Sequence, residues 1–197
     1  MKKLILSVII LIISFWSAQY FMRIYSADVL YESSQRYLAA EEYEDALRTA
    51  SLAIKKNPLE PNYYRGRAKV YIGFLADTQN RESQLLFKTA ALEDLKKAYK
   101  LNPKNLVTIR NSVPLYYFLA AEDLTQPGSK ENIDEAFLSE AANFFEKTKL
   151  AFPNDVGVFT LIAKYEKRLG LEKQYEESKA RVQQLRPDLL EWHENFR

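Results

Sequence analysis

Apolar residues are distributed along this chain in two ways. From Leu4 to Met22 they dominate a run of nineteen residues, LILSVIILIISFWSAQYFM, that carries no formal charge. From Arg23 onward they recur at helical spacing on one side, and charged residues occupy the other. A helix of the first length reaches about 28 Å, close to the bilayer hydrocarbon thickness of about 30 Å. Leu4, Ile9, Ile12, Phe15 and Trp16 belong to a segment with no polar face, which suits lipid better than a protein core. Residues 1–23 are therefore expected to form a membrane anchor, with Trp16 and Tyr20 as interfacial aromatics. The alternative is a signal sequence whose apolar region is Leu4 to Trp16 and which is cleaved after Ala18. That cut would put Trp16 where a small side chain is needed. Lys2 and Lys3 favour a cytoplasmic N-terminus and place the remaining residues, 24–197, outside the cytoplasm. The Met-Lys-Lys start followed by isoleucines resembles a bacterial one, which makes the inner membrane the expected location, or secretion if the segment is removed.

The second pattern predicts helices, and prolines punctuate it. ALRTASLAIKKNP ends at Pro58, ALEDLKKAYKLNP at Pro103, AANFFEKTKLAFP at Pro153 and ESKARVQQLRP at Pro187. Each is an amphipathic stretch closed by a residue that cannot continue a helix. The last two prolines are 34 residues apart, and the earlier intervals are 45 and 50. The excess is expected in two polar stretches between helices, near 77–84 and 122–132, the second holding a Pro127-Gly128 turn signal. Asn132-Ile-Asp-Glu135 has the form of a helix N-cap with Glu at its third position, and Asn80 is a second candidate start.

A period of about 34 residues with this punctuation resembles the tetratricopeptide repeat (TPR), a helix–turn–helix unit. Repeat one, starting at Ala27, carries Leu30, Ser34, Tyr37, Tyr43, Ala46, Ala53 and Pro58 at the family's large, small, aromatic, aromatic, small, small and proline places. Repeats two, three and four start at Pro61, Leu106 and Val156. The fourth departs from the pattern, with Glu166 where an aromatic is usual and Tyr175 where alanine is usual. The resemblance implies an all-α, right-handed solenoid of about four hairpins, because one hairpin cannot bury its apolar face alone. Leu189, Leu190, Trp192 and Phe196 are expected on a short capping helix, with His193 as a cap residue rather than a ligand.

The resemblance also implies a groove lined by the first helix of each repeat. The groove positions hold Asp28, Tyr31, Gln35, Leu38, Asn62, Arg65, Lys69, Ile72, Val107, Arg110, Pro114, Tyr117, Phe118, Thr160, Lys164, Lys167 and Arg168, with Asn111 beside them. Arg65, Lys69, Arg110, Asn111, Tyr117 and Lys164 suggest a site for an acidic peptide or a C-terminal carboxylate. The alternative is a row of solvated surface charges. Pro114 is expected to kink the third of these helices, or to sit near a restart capped by Ser112.

Composition narrows the function further. There is no cysteine and one histidine, and the five glycines are too dispersed for phosphate-binding or nucleophile-elbow motifs. Adjacent acids such as Glu41-Glu42 and Glu176-Glu177 diverge around a helix and do not face one pocket. Lys2 and Lys3 account for the net charge of +2, so residues 23–197 balance and offer no general basic surface for nucleic acid. The expectation is a scaffold or adaptor without catalysis, metal or cofactor. The alternatives are a structural subunit of an envelope assembly or export machine and, less favoured, a helical-superhelix hydrolase.

Overall fold

The computed structural model describes residues 2–78, 80–122 and 133–189, and eight α-helices lie among them. They are α1 (Lys2–Ala39), α2 (Tyr43–Lys56), α3 (Pro61–Asp77), α4 (Arg81–Leu101), α5 (Leu106–Ala120), α6 (Glu135–Ala151), α7 (Val156–Arg168) and α8 (Glu172–Leu185), with a 3-10 turn at Pro187–Leu189.

Local chemistry sets most boundaries. Asn80, Asn105, Asp134 and Asp155 each accept a backbone N–H from the first turn of the following helix, and Glu60 does so before the helix-starting Pro61. The helices before the four punctuating prolines end two residues ahead of them, at Lys56, Leu101, Ala151 and Leu185. In each case the next residue still donates its N–H to the carbonyl four residues back. The proline comes where that donor can no longer be supplied.

Consecutive helices pair as hairpins, α1 with α2, α3 with α4, α5 with α6 and α7 with α8, and each hairpin packs against the next. The first helices of neighbouring hairpins also touch, α1 to α3, α3 to α5 and α5 to α7. Alanine makes the close approaches possible: Ala27, Ala46, Ala50, Ala53, Ala68, Ala91, Ala98, Ala141 and Ala163 are all fully buried. Larger side chains fill the space between, with Ile109, Val113, Tyr116, Phe144, Phe145 and Ile162 in the main core. Tyr116 and Phe144 stack at 4.0 Å between ring centroids.

Helix α1 spans 38 residues and runs without interruption through residue 23, so the apolar segment and the first helix of repeat one are one rod. It is long and apolar enough to cross a membrane, with a mean hydropathy of 2.0 over its most apolar window and none of that window buried.

Several sequence expectations are revised. The stretch 77–84 is not a loop: only residues 78–80 lie between helices, and the added length extends α4 to 21 residues against 14 in α2. The start expected at Asn80 is found, but α6 is capped by Asp134 rather than Asn132, which lies outside the described residues. Helix α5 passes through Pro114 and does not restart there, and Ser112 donates to the Thr108 carbonyl within the helix instead of capping. Proline removes the N–H that would have reached Arg110 and crowds that carbonyl with its ring, and packing on both sides of α5 holds the helix together. Most of the stretch 122–132, and the expected capping helix with Leu190, Trp192, His193 and Phe196, also lie outside the described residues. The ends of the former meet: Ala121 bridges Ile133, and the buried Lys88 ammonium donates to the Ala121 carbonyl at 2.6 Å and to Asp134 at 2.7 Å.

Candidate binding groove

The first helices of the hairpins stand side by side, and the predicted groove residues lie on them. Arg65 and Lys69 are on α3, Arg110, Asn111 and Tyr117 on α5, and Lys164 on α7. Lys69, Arg110 and Asn111 are exposed, Arg65 and Lys164 are half-buried, and Tyr117 is buried.

Two glycines shape this surface by what they leave out. A Cβ at Gly66 would stand 2.3 Å from the Tyr31 ring and 3.0 Å from the Gln35 amide, so α3 needs glycine for α1 to lay those side chains across it. Tyr31 then meets the Tyr63 ring at 5.1 Å, and Tyr63 donates to Asp28. Burial raises the Tyr31 phenol above its ordinary pKa, and nearby Arg65 partly counteracts this. A Cβ at Gly157 would stand 2.8 Å from the Arg110 guanidinium and 3.2 Å from the Asp155 carboxylate. The side chain of Arg110 therefore lies over the start of α7, beside the acid that caps it. Asp155 precedes its helix and is not a groove position, so repeat phase does not pair it with Arg110.

Aromatics and cations continue the surface along α5 and α7. The Arg168 guanidinium lies 6.0 Å from the Tyr117 ring and 5.9 Å from the Tyr165 ring, and the two rings are 4.9 Å apart. Lys164 lies 5.8 Å from the Tyr165 ring.

Among the described residues, four buried donor atoms have no hydrogen-bond partner: Gln35 Nε2, Arg65 Nε, Tyr117 Oη and Thr160 Oγ1. All four belong to first helices and to the sequence-predicted groove positions. A buried donor left unpaired costs about 1–3 kcal/mol, so each of these atoms is suited to an acceptor from water or from a ligand.

Two charged clusters escaped sequence reasoning. Arg67 holds Asp94 through two hydrogen bonds of 2.7 and 2.8 Å, tying α3 to α4. Lys149 on α6 reaches Glu166 on α7 at 3.0 Å, Glu146 at 2.6 Å and Ser178 on α8 at 3.3 Å. The only sequence signal for the second was Glu166 standing at an aromatic position.

No family model matches the chain, and no curated protein matches it. Solved structures do. A thermophilic TPR protein from Thermus thermophilus aligns over 97% of this chain and 93% of its own at TM-score 0.59 and 15% identity. MamA from Desulfovibrio magneticus, solved from residue 41 to its end, aligns over 87% of this chain and 81% of its own at TM-score 0.52 and 16% identity. The chain has a TPR-like fold, an arrangement of stacked helix hairpins.

Proposed function

We propose that this chain is a membrane-anchored interaction scaffold in which residues 1–23 form the anchor and residues 24–197 a right-handed TPR-like solenoid. Its groove receives a protein segment, an extended acidic peptide or a C-terminal carboxylate, on the extracytoplasmic side of a bacterial inner membrane. The scaffold presents a preformed surface and performs no chemistry of its own. The observation that carries this reading is the set of four buried donors without a protein partner on the first helices, two of which also carry the exposed cations Lys69 and Arg110. A carboxylate-rich segment would bring acceptors to Arg65 and Tyr117 together with charge for Lys69, Arg110 and Lys164. Arg65→Glu with Arg110→Glu is expected to abolish partner cross-linking from a photoreactive residue at position 69, while the protein stays in the membrane fraction. Undiminished cross-linking in that variant defeats the groove.

A second reading has one observation in its favour. The lengthened α4 leaves Leu85 and Leu86 exposed at 56% and 66%, an apolar ridge suited to a structural subunit in an envelope assembly. Cross-linking from position 86 that survives Arg65→Glu with Arg110→Glu would favour it.

A further inference from the structure

The junction of the apolar segment with the hairpins contains an open cleft of about 600 Å³ whose lining includes Trp16, Gln19, Tyr20, Arg23 and Ser26 of α1 and Lys56 of α2. Because α1 leaves the apolar segment and α2 runs back beside it, the C-terminal end of α2 returns to the level of Arg23. Two cations thus line one cleft, and among the described residues no acid lines it.

Ordinary structural roles do not account for both charges. The positions three and four residues from Arg23 on α1 are Gln19, Tyr20, Ser26 and Ala27, none of them acidic. Arg23 is also far from either end of its helix, so the helix dipole gives it no purpose. Its guanidinium lies 5.6 Å from the centroid of the Tyr20 ring. Lys56 does sit in the last turn of α2, where a cation is favoured, but its side chain is exposed. The nearest acid in sequence, Glu60, is engaged at the N-terminus of α3, accepting from Asn62. The Ser26 hydroxyl donates to the Arg23 carbonyl, which leaves the guanidinium and the ammonium as the charged donors for a ligand, with the Gln19 amide, the Tyr20 phenol and the Trp16 indole as neutral ones. Two like charges lining one open cleft make it favourable for an anion. The rim on the apolar side carries Trp16 and Tyr20, residue types that favour the boundary between hydrocarbon and headgroups.

We infer that this cleft binds the phosphate of an anionic phospholipid headgroup, clasped by Arg23 and Lys56 with the acyl chains lying along the apolar part of α1. The inference rests on the anchor reading of α1. Its consequence is a fixed standing height: a bound headgroup sets the depth of the rod, and the uninterrupted helix passes that depth to the first hairpin.

The test uses the full chain with Trp192→Phe, which leaves Trp16 as the one tryptophan. It is reconstituted in phosphatidylcholine vesicles containing a small fraction of chain-brominated phosphatidylglycerol or chain-brominated phosphatidylcholine. Brominated phosphatidylglycerol is expected to quench Trp16 more strongly at equal fraction, reflecting local enrichment of about fivefold per cation. Arg23→Gln with Lys56→Gln should bring the two lipids to parity, Lys56→Arg should keep the preference, and Arg48→Gln, on α2 but outside the cleft lining, should leave it intact. Equal quenching in the starting protein, or a preference that survives the double glutamine variant, overturns the headgroup site alone. Loss of the preference when inorganic phosphate replaces chloride at matched ionic strength assigns the cleft to free phosphate and overturns the lipid assignment. Absence of quenching by either lipid, with release of the chain by alkaline carbonate, overturns the anchor reading itself.

Discussion

Glu166 shows how one residue departs from a repeat pattern without breaking it. It occupies a position where the TPR pattern has an aromatic ring, and it is fully buried. Burial pushes its carboxyl above the ordinary carboxylate pKa, while the Ser178 hydroxyl and the Lys149 ammonium pull it back. Burial draws the Lys149 ammonium down, but Glu146 and Glu166 outweigh this and hold it above the ordinary lysine value. Removing one partner leaves the other charge buried and uncompensated. Lys149→Met is therefore expected to destabilise the fold by about 3–5 kcal/mol in urea unfolding, and adding Glu166→Leu should recover most of the loss. The pH dependence follows from the same cluster. A lysine whose folded pKa is raised contributes stability throughout the range below its unfolded value and loses it as pH rises through the folded value. Alkaline unfolding should thus begin at higher pH in Lys149→Met than in an equally destabilised variant with Lys149 intact, because only the latter loses this contribution as the lysine deprotonates. The positions of Arg65, Lys69, Arg110, Asn111, Tyr117 and Lys164 on first helices were legible from repeat phase. The closeness of Asp155 to Arg110 was not, because it depends on how far α7 is offset along α5.

At the scale of the element, starts and stops were the most legible features. Repeat phase placed first helices at Pro61, Leu106 and Val156, and α3, α5 and α7 begin there. The candidate start at Asn80 is found as well, and it turns a polar stretch such as RESQ, which could equally have been loop, into the exposed first turn of a lengthened α4. Two helices end in the same turn. After α7, Gly170 takes φ of 70° and Leu171 donates back to the Glu166 carbonyl. After α1, Glu41 takes φ of 62° and Glu42 donates back to the Tyr37 carbonyl. This left-handed closing residue favours glycine, which has no Cβ to strain. Glu41→Gly is accordingly expected to stabilise the protein by roughly 0.5–1 kcal/mol, a gain measurable as a higher urea midpoint with an unchanged slope.

For the whole molecule, substantial contacts among the described residues join only helices of the same or adjacent hairpins. Stability in such a stack is close to a sum of hairpin and nearest-neighbour terms, so damage stays local. Hydrogen exchange should detect this. Lys149→Met is expected to speed exchange in α6, α7 and α8 while leaving α2 and α3 near their original protection. Uniform loss of protection along the chain would show that the hairpins unfold as one unit. The continuity of α1 belongs to this scale too. The sequence shows a change of composition at residue 23, and a linker there would read no differently from a helix that passes straight through.

The order of helices, the prolines that close them, the alanines at their crossings and the apolar run at the start follow from the sequence alone. Each depends on spacing and local chemistry within a few residues, which a linear pattern records. Tertiary structure decided which charges meet, that Lys149 reaches Glu166 and Ser178, that Arg110 lies over α7, and that Lys56 comes down beside Arg23. Those pairings join residues far apart in the chain, and their distances depend on the tilt and offset of one hairpin on the next, which packing alone determines.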